Sequence, residues 1–435
     1  MTRRAAVAGQ SWLWAACVAL TASVGTVDAA DEPFKIGIVT FLSGGAAGPF
    51  GVPAKNAADL MVEALNQGQV PAPYDQAGLG GRPIETVVID EAGGATKQVA
   101  EFRNLVERQE VDAVVGYISS GDCLAIPSVA EELKTLTVLF DCGTPRVFEE
   151  GDYQYVFRTG PTATMDNVAA ARYVLAMMPE LENIAGINQN YAWGQDSWRD
   201  FSESVKQLKP DVNVTTEQFP KLFAGQYGAE ISALMVRAAQ VVHSSFWGGD
   251  MEGFVLQGSA RGLFETQTPL LTTGETAMFR FASQIPEGAI IGARGPFGVY
   301  APDTELNAWF RQHYSERFDT PPIYPSYKMA QALLGLKTAY EKAQAAAGQT
   351  PSTEEIVAAF ENLTFEGPGG TVAMTLGNGH QAVMEMVYGR FAMEDGQPTM
   401  TDVVRFPAGC VNPPPDMTSS EWIAAGFPGN DCPTP

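Results

Sequence analysis

Short apolar runs alternate with amphipathic segments along the first half of the chain. The first run ends at Ser43-Gly44-Gly45, and residues 52–66 then carry apolar side chains at helical spacing. The elements predicted for this first unit are strands at 34–41, 84–91, 111–118 and 136–141 and helices at 52–66, 96–110 and 123–133. Strands that are apolar nearly throughout and alternate with helices indicate a parallel sheet covered on both faces.

The same alternation restarts near residue 155. The second unit is predicted to contain strands at 155–159, 183–188, 212–219, 240–247 and 269–273 and helices at 164–178, 195–208, 228–238 and 250–262. From Glu287 onward the pattern is less regular. Helices near 303–318, 326–347 and 353–362 are expected to return to the first unit, and strands near 370–376 and 383–392 to the second.

The predicted fold class is therefore α/β, with two doubly wound lobes of parallel sheets joined by three crossovers near residues 159, 287 and 364. Lobe 1 is assigned to 31–158 and 288–363, and lobe 2 to 159–287 and 364–401. Residues 402–435 contain the run Pro413-Pro414-Pro415 and two cysteines. We expect them to form a C-terminal extension pinned to the lobes.

The start of the chain predicts export. Arg3-Arg4, an apolar stretch over 12–24 and the small residues at Ala29-Ala30 have the layout of a secretory signal peptide covering 1–30. Cleavage is expected near Ala29-Ala30, and the mature protein is expected in the periplasm. No later apolar stretch has the length of a membrane span.

Charge and cysteine content narrow the class of partner. The chain has 27 Lys+Arg against 50 Asp+Glu, which argues against binding to nucleic acid and to anionic membranes. Once Cys17 leaves with the signal peptide, four cysteines remain, and their spacing suggests the disulfides Cys123–Cys142 and Cys410–Cys432. No CxxC pair occurs and the three histidines have no ligand spacing, so neither a metal nor another cofactor is expected.

The candidate site lies at the strand ends, because open parallel sheets bind ligands beyond the carboxyl ends of their strands. In the first unit these ends are 41–51, 119–123 and 141–145, which are rich in glycine and hydroxyl groups. Neutral donors of this kind can hold a carboxylate, although hydroxyls such as those of Ser120 and Thr144 can equally be helix N-caps.

In the second unit, large aromatic residues follow the strands. Tyr191, Trp193, Phe246 and Trp247 lie at predicted loops, where they can contact a ligand or pack between the lobes. Glu275 directly follows an apolar strand. It can pair with a ligand ammonium group, or it can be a helix N-terminal acid favoured by the helix dipole.

These segments resemble a known family. The stretches that carry the resemblance are KIGIVTFLSGGAAGPFG, VVGYISSGDCLAIPSVAEE, VFRTGPT, YAWGQDSWRDF and TGETAM, and in order and spacing the likeness covers nearly all of 34–395. Together they are similar to the Leu/Ile/Val-type (branched-chain amino acid) substrate-binding proteins of ABC transporters, which have the periplasmic binding protein type I fold. The resemblance implies two lobes that close on a small ligand.

The resemblance also implies roles for single residues. It places Ser120 and Thr144, with Ser119 at the same strand end, at the ligand α-carboxylate, the backbone near Cys142, Tyr191 and Glu275 at the α-amino group, and Phe50 over the pocket. Trp247 departs from the family, in which tyrosine is frequent at that position. The pair Cys123–Cys142 and the segment after 402 also lack a family counterpart.

The expected function is that of a periplasmic solute-binding component, not an enzyme. No nucleophile elbow or phosphate-binding loop occurs in the sequence. We expect a monomer that captures an amino acid, or a similar small carboxylate or amide, and delivers it to ABC transporter permease subunits. Two alternatives stay open: a ligand-sensing receptor module of the same fold, and a binder of aromatic acids instead of amino acids.

Overall fold

The computed structural model describes residues 1–2 and 32–432, so nearly all of the predicted signal peptide lies outside the described residues. The chain forms two α/β lobes, each built on one sheet. Lobe 1 begins with β1 (Phe34–Thr40), α1 (Val52–Asn66), β2 (Ile84–Asp90), α2 (Ala95–Glu107), β3 (Ala113–Gly116), α3 (Ser120–Leu133), β4 (Leu136–Leu139), α4 (Arg146–Glu149) and β5 (Val156–Arg158).

Lobe 2 follows along the chain. Its elements are α5 (Ala163–Met177), β6 (Asn183–Ile187), α6 (Ala192–Leu208), β7 (Asn213–Gln218), α7 (Gly228–Val236), β8 (Val241–Ser244), α8 (Gly249–Ala260), β9 (Thr268–Leu271), α9 (Glu275–Met278) and β10 (Ile290–Gly292). The chain then returns to lobe 1 with α10 (Glu305–Phe318), α11 (Tyr324–Ala347), α12 (Thr353–Phe360), β11 (Thr364–Gly367), β12 (Gly370–Leu376) and β13 (Gln381–Val383).

The last segment returns to lobe 2 with β14 (Met386–Glu394), β15 (Gln397–Phe406), α13 (Ala408–Val411) and α14 (Ser419–Ala424). The first sheet has the order β11-β12-β13-β5-β4-β3-β1-β2, and the second has the order β15-β14-β10-β9-β8-β6-β7. Strands β1 to β5 pair in parallel, and β3 and β4 are buried at every position. Continuous burial explains why these strands are apolar throughout instead of alternating.

The lobe boundaries differ from the predicted ones. Strand β10 pairs with β9 in the second sheet, so the second crossover begins after Gly292 and not near 287. Strands β11 and β12 join the first sheet, whereas we expected 370–376 in lobe 2. Strand β15 continues to Phe406 in the second sheet, past the predicted end of lobe 2 at 401.

Tertiary packing explains why the β11–β12 hairpin joins lobe 1 and not the predicted lobe 2. Phe365 on β11 is buried and lies against Gly335 on α11, where a Cβ atom would come within 2.8 Å of the phenylalanine ring. The absence of a side chain at Gly335 therefore lets the β11–β12 hairpin seat on a lobe 1 helix. Strand alternation in the sequence does not show which sheet edge a hairpin will join.

Both predicted disulfides are confirmed. Cys123 on α3 is bonded to Cys142, which follows β4, and Cys410 on α13 is bonded to Cys432. In the C-terminal segment, α13 packs on α5 and α14 packs on α6, and the side chain of Trp422 is fully buried. Across residues 32–432, the structure contains no helix with the length and apolar character needed to cross a membrane.

The two lobes also contact each other directly. The Gly249 N–H donates to the Gly45 carbonyl at 2.9 Å, joining the N-terminus of α8 to the loop after β1. On α4, the Arg146 guanidinium lies 2.7 Å from the Asp196 carboxylate on α6. These contacts define a closed arrangement of the lobes, with the strand ends of both sheets facing each other.

Candidate ligand-binding site

A small cavity of about 10 Å³ lies between the lobes, at the carboxyl ends of the strands. Its lining residues come from both lobes and the second crossover: Phe50, Ile118, Ser120, Asp141, Gly143, Tyr191, Trp193, Trp247, Thr273, Arg294 and Tyr324. This volume corresponds to about one water molecule. A ligand of amino-acid size therefore reaches the site only when the walls move apart.

A larger groove of about 650 Å³ runs beside α10. Its lining includes the exposed side chain of Val299 and none of the predicted site residues. The smaller cavity is the better candidate, because it combines convergent buried polar groups with strand-end residues from both lobes.

Aromatic rings from both lobes form the cavity wall. The Trp247 indole N–H donates to the Tyr191 hydroxyl oxygen at 2.7 Å, which fixes both side chains on lobe 2. On lobe 1, the Phe50 ring meets Trp247 at a centroid distance of 5.3 Å and Tyr324 at 5.6 Å, both edge to face. Such pairs stabilise each other beyond their buried area, so contact between Phe50 and Trp247 favours closure.

The buried cation of the site is Arg294, which lies two residues after the end of β10. Its side chain is 4 % exposed, and its Nη2 donates to the Pro161 carbonyl at 2.7 Å. The guanidinium carbon lies 4.6 Å from the centre of the Trp193 ring, a cation–π contact. Its Nε has no hydrogen-bond partner among the described residues.

Two buried carboxylates flank this cation. Arg294 Nε lies 3.7 Å from an Asp141 oxygen and 3.6 Å from an Asp166 oxygen. Burial raises the pKa of Asp141 to about 6 and that of Asp166 to about 7, while Arg294 and Lys328 oppose the rise. Burial also lowers the pKa of Lys328 to about 8. Only Asp141 of these two carboxylates lines the cavity.

Four of the predicted ligand residues lie together in the cavity wall: Phe50, Ser120, Tyr191 and Trp247. Ser120 is the first residue of α3. Its Oγ accepts the backbone N–H groups of Gly143 at 3.3 Å and Thr144 at 3.2 Å. Both contacts use Ser120 as an acceptor, so its own O–H remains available to donate to a ligand.

Three further predicted residues lie behind the wall. The Thr144 hydroxyl donates to Asp196 Oδ2 at 2.7 Å, and the Ser119 backbone N–H donates to Glu91 Oε1 at 2.7 Å. Cys142 is in the disulfide, and its carbonyl accepts from the Arg158 guanidinium at 3.2 Å. Their predicted contacts with a ligand stay predictions. In this structure the Thr144 hydroxyl connects the two lobes, whereas the Ser119 N–H and the Cys142 carbonyl are bonded within lobe 1.

Glu275 also lies outside the residues that line the cavity. One carboxylate oxygen accepts the Tyr324 backbone N–H at 3.0 Å, so lobe 2 caps the first residue of α11 in lobe 1. The side chain is fully buried, and burial raises its pKa to about 8. At neutral pH this carboxyl is mostly protonated and supplies little negative charge for a ligand ammonium group.

Arg294, Asp141 and Tyr324 line the cavity but are not among the site residues predicted from the sequence. Asp141 opens the strand end at 141–145 and could have been found by asking for charged residues there. Arg294 lies two residues after β10, a short strand that the irregular pattern after Glu287 did not predict, and Tyr324 begins a long helix, where no strand-end rule applies. Their place in the cavity depends on how the lobes meet.

Comparison with known proteins agrees with this architecture. The model of the periplasmic binding protein family matches residues 33–397, so the chain belongs to that family. The predicted resemblance and the type I fold of two α/β lobes are confirmed. The family is one of substrate-binding proteins. No curated protein sequence matches the chain.

Solved structures share the fold at low sequence identity. A Brucella ovis binding protein for leucine, isoleucine, valine, threonine and alanine, in its closed conformation, is 19% identical with a TM-score of 0.74, over 89% of this chain and 98% of that one. A solute-binding protein of an ABC transporter from Rhodopseudomonas palustris BisB5, in complex with 3,4-dihydroxybenzoic acid, is 17% identical with a TM-score of 0.73, over 87% and 98%. A leucine-binding protein from Thermotoga maritima is 18% identical with a TM-score of 0.69, over 85% and 98%.

Proposed function

We propose that this protein is the solute-binding component of an ABC importer and captures a small carboxylate between its two lobes. The observation that carries the proposal is the interlobe cavity, in which Arg294 lies between aromatic side chains from both lobes. A buried guanidinium attracts a carboxylate, because a cation removed from water is stabilised by an anionic partner with good geometry.

Amino acids and related small acids or amides are the leading ligand class. The Brucella ovis protein is named for amino acids, which supports this class. Aromatic acids are the second candidate, because the cavity wall contains the rings of Phe50, Tyr191, Trp193, Trp247 and Tyr324. The Rhodopseudomonas palustris protein bound to 3,4-dihydroxybenzoic acid supports this second class.

The cellular role follows from the same assignment. The segment 1–30 directs export of the precursor to the periplasm. There the mature monomer delivers its ligand to permease subunits of the transporter, without catalysing a reaction. Reconstitution with its permease separates an importer from a ligand-sensing receptor. Ligand-loaded protein should raise ATP hydrolysis by the transporter, whereas a sensor should leave it unchanged.

The binding assignment is tested by mass spectrometry of small molecules released from the denatured protein, followed by a thermal-shift screen. A released carboxylate should raise the melting temperature of the wild type. Arg294→Met should abolish that rise, because it removes the buried cation. Arg317→Met, on the outer side of α10 in an exposed pair with Glu63, is the control and should keep it.

Ser120→Ala provides a milder variant, because it removes no charge; the hydroxyl that it removes also accepts the Gly143 and Thr144 N–H groups. Loss of this donor should weaken carboxylate binding by roughly tenfold, the effect of one hydrogen bond to a charged group. If no small carboxylate or amide is released or stabilises the wild type, the proposed function is wrong.

A further inference from the structure

We infer that Asp141 and Arg294 together recognise a zwitterion, with Asp141 accepting the ligand's ammonium group and Arg294 pairing with its carboxylate. This inference rests on the proposed function and specifies the chemistry of the same site. The ammonium group is thereby assigned to a carboxylate that follows β4 and is not among the predicted site residues.

The first observation is the unused hydrogen-bonding capacity of Asp141. The residue lines the cavity, is 1 % exposed, and neither of its carboxylate oxygens has a hydrogen-bond partner among the described residues. Its closest charged contact is Arg294 Nε at 3.7 Å, which is too long for a hydrogen bond. A buried carboxylate in this situation is costly, and an ammonium group supplies three donors.

The second observation is the arrangement of the two charges. Asp141 and Arg294 are adjacent, and both border the same cavity. The two charged groups of an α-amino acid are bonded to one carbon atom, so their protein partners must also be neighbours. Ser120 adds a hydroxyl donor on the lobe 1 wall for the carboxylate. The three groups therefore match both ends of a small zwitterion.

The third observation concerns the other carboxyl groups. Asp166 lies as close to Arg294 as Asp141 does, but it is outside the cavity lining. Glu275 is also outside it, and one of its oxygens is already used by the Tyr324 N–H. Among the buried acids of the described residues, Asp141 alone lines the cavity.

An acid without an amine fits this pair less well. Its carboxylate would meet Arg294 but would place a second negative charge beside Asp141, without giving that side chain a donor. Like charges that share a buried site repel each other. The wild type should therefore prefer an amino acid over the same molecule without its amine.

The test uses matched probes and two variants. The twenty standard amino acids, each paired with its amine-free acid, and benzoate are screened by thermal shift, and calorimetry follows for responding pairs. Leucine with 4-methylpentanoate and phenylalanine with 3-phenylpropanoate are examples. Asp141→Asn should reduce the preference for the amino acid by roughly 30-fold or more, the usual effect of truncating a buried charge pair. Asp166→Asn is the matched control and should keep the preference.

Each outcome decides the question. Equal or tighter binding of amine-free acids by the wild type overturns the inference but leaves a solute-binding protein for acids, and this result needs no variant to fold. Equal losses in Asp141→Asn and Asp166→Asn also overturn it, since both residues would then act only as counter-ions of Arg294. No response to any probe, with no small molecule released from the protein, overturns the proposed function as well.

Discussion

Replacing Glu275 with glutamine should stabilise the protein relative to the wild type progressively as the pH rises from 5 to 8. Burial raises the pKa of Glu275 from its ordinary value of 4.5 to about 8 in the folded protein. The folded state therefore holds the proton more tightly than the unfolded state. In this pH window, Glu275 by itself lowers the free energy of unfolding of the wild type by about 1.4 kcal/mol per pH unit. This contribution levels off above pH 8 at about 5 kcal/mol.

Glutamine does not titrate, and its side-chain oxygen can still accept the Tyr324 N–H. The other buried acids are present in both proteins, so their contributions cancel in the difference. Urea unfolding at pH 5, 6.5 and 8 measures this difference, with Glu85→Gln on an exposed position of β2 as the control for the loss of one charge. Parallel pH curves for the wild type and Glu275→Gln would refute the argument from burial.

The same variant separates two assignments of the ammonium partner. If Asp141 accepts the ammonium group, Glu275→Gln should change the affinity for an amino acid by less than about threefold at pH 7. A loss of roughly 30-fold, as expected for removing one side of a buried charge pair, would return that role to Glu275.

Two further changes test closure and the C-terminal segment. Gly143→Ala should abolish ligand-dependent compaction in X-ray scattering, because a Cβ atom there would lie 2.2 Å from the Trp193 ring. Gly121→Ala, whose Cβ would meet nothing closer than 3.6 Å, should compact normally, and equal behaviour of the two variants would contradict the closed geometry. Replacing Cys410 and Cys432 with serine should lower the free energy of unfolding by about 3 kcal/mol in denaturant melts, and an unchanged midpoint would mean that the bond contributes nothing.

The sequence predicted those parts of the site that depend on local order along the chain. Ser120, Tyr191 and Trp247 follow buried strands directly, and the topology of parallel sheets brings such strand ends to one edge. How the two lobes meet depends on residues that are far apart in the sequence. Arg294 follows β10, a strand that the sequence pattern did not predict, and Tyr324 enters the cavity from the start of α11, a position that depends on packing between distant segments.

Thr144 is a predicted site residue whose hydrogen-bond partner could not be predicted from the sequence. Its hydroxyl was predicted at the ligand carboxylate, where a helix-start hydroxyl at a strand end is a reasonable choice. In the closed structure it donates to Asp196 on the opposite lobe. The predicted contact of Thr144 with a ligand carboxylate stays a prediction. The partner was decided by a carboxylate on α6 that lies 52 residues away along the chain.

This contact links the cavity to lobe closure. Ser120 in the cavity wall accepts the Thr144 N–H, and the Thr144 hydroxyl donates to Asp196, which also pairs with Arg146. Asp196 is fully buried when the lobes are closed, so closure removes a carboxylate from water and replaces that water with donors from lobe 1. The loss of hydration and the gain of these donors act in opposite directions, and Asp196 is also paired with Arg199 on its own helix. A ligand shifts the equilibrium between open and closed lobes by its difference in affinity for the two states, and the cavity in which Asp141 and Arg294 would hold a zwitterion is lined by residues of both lobes.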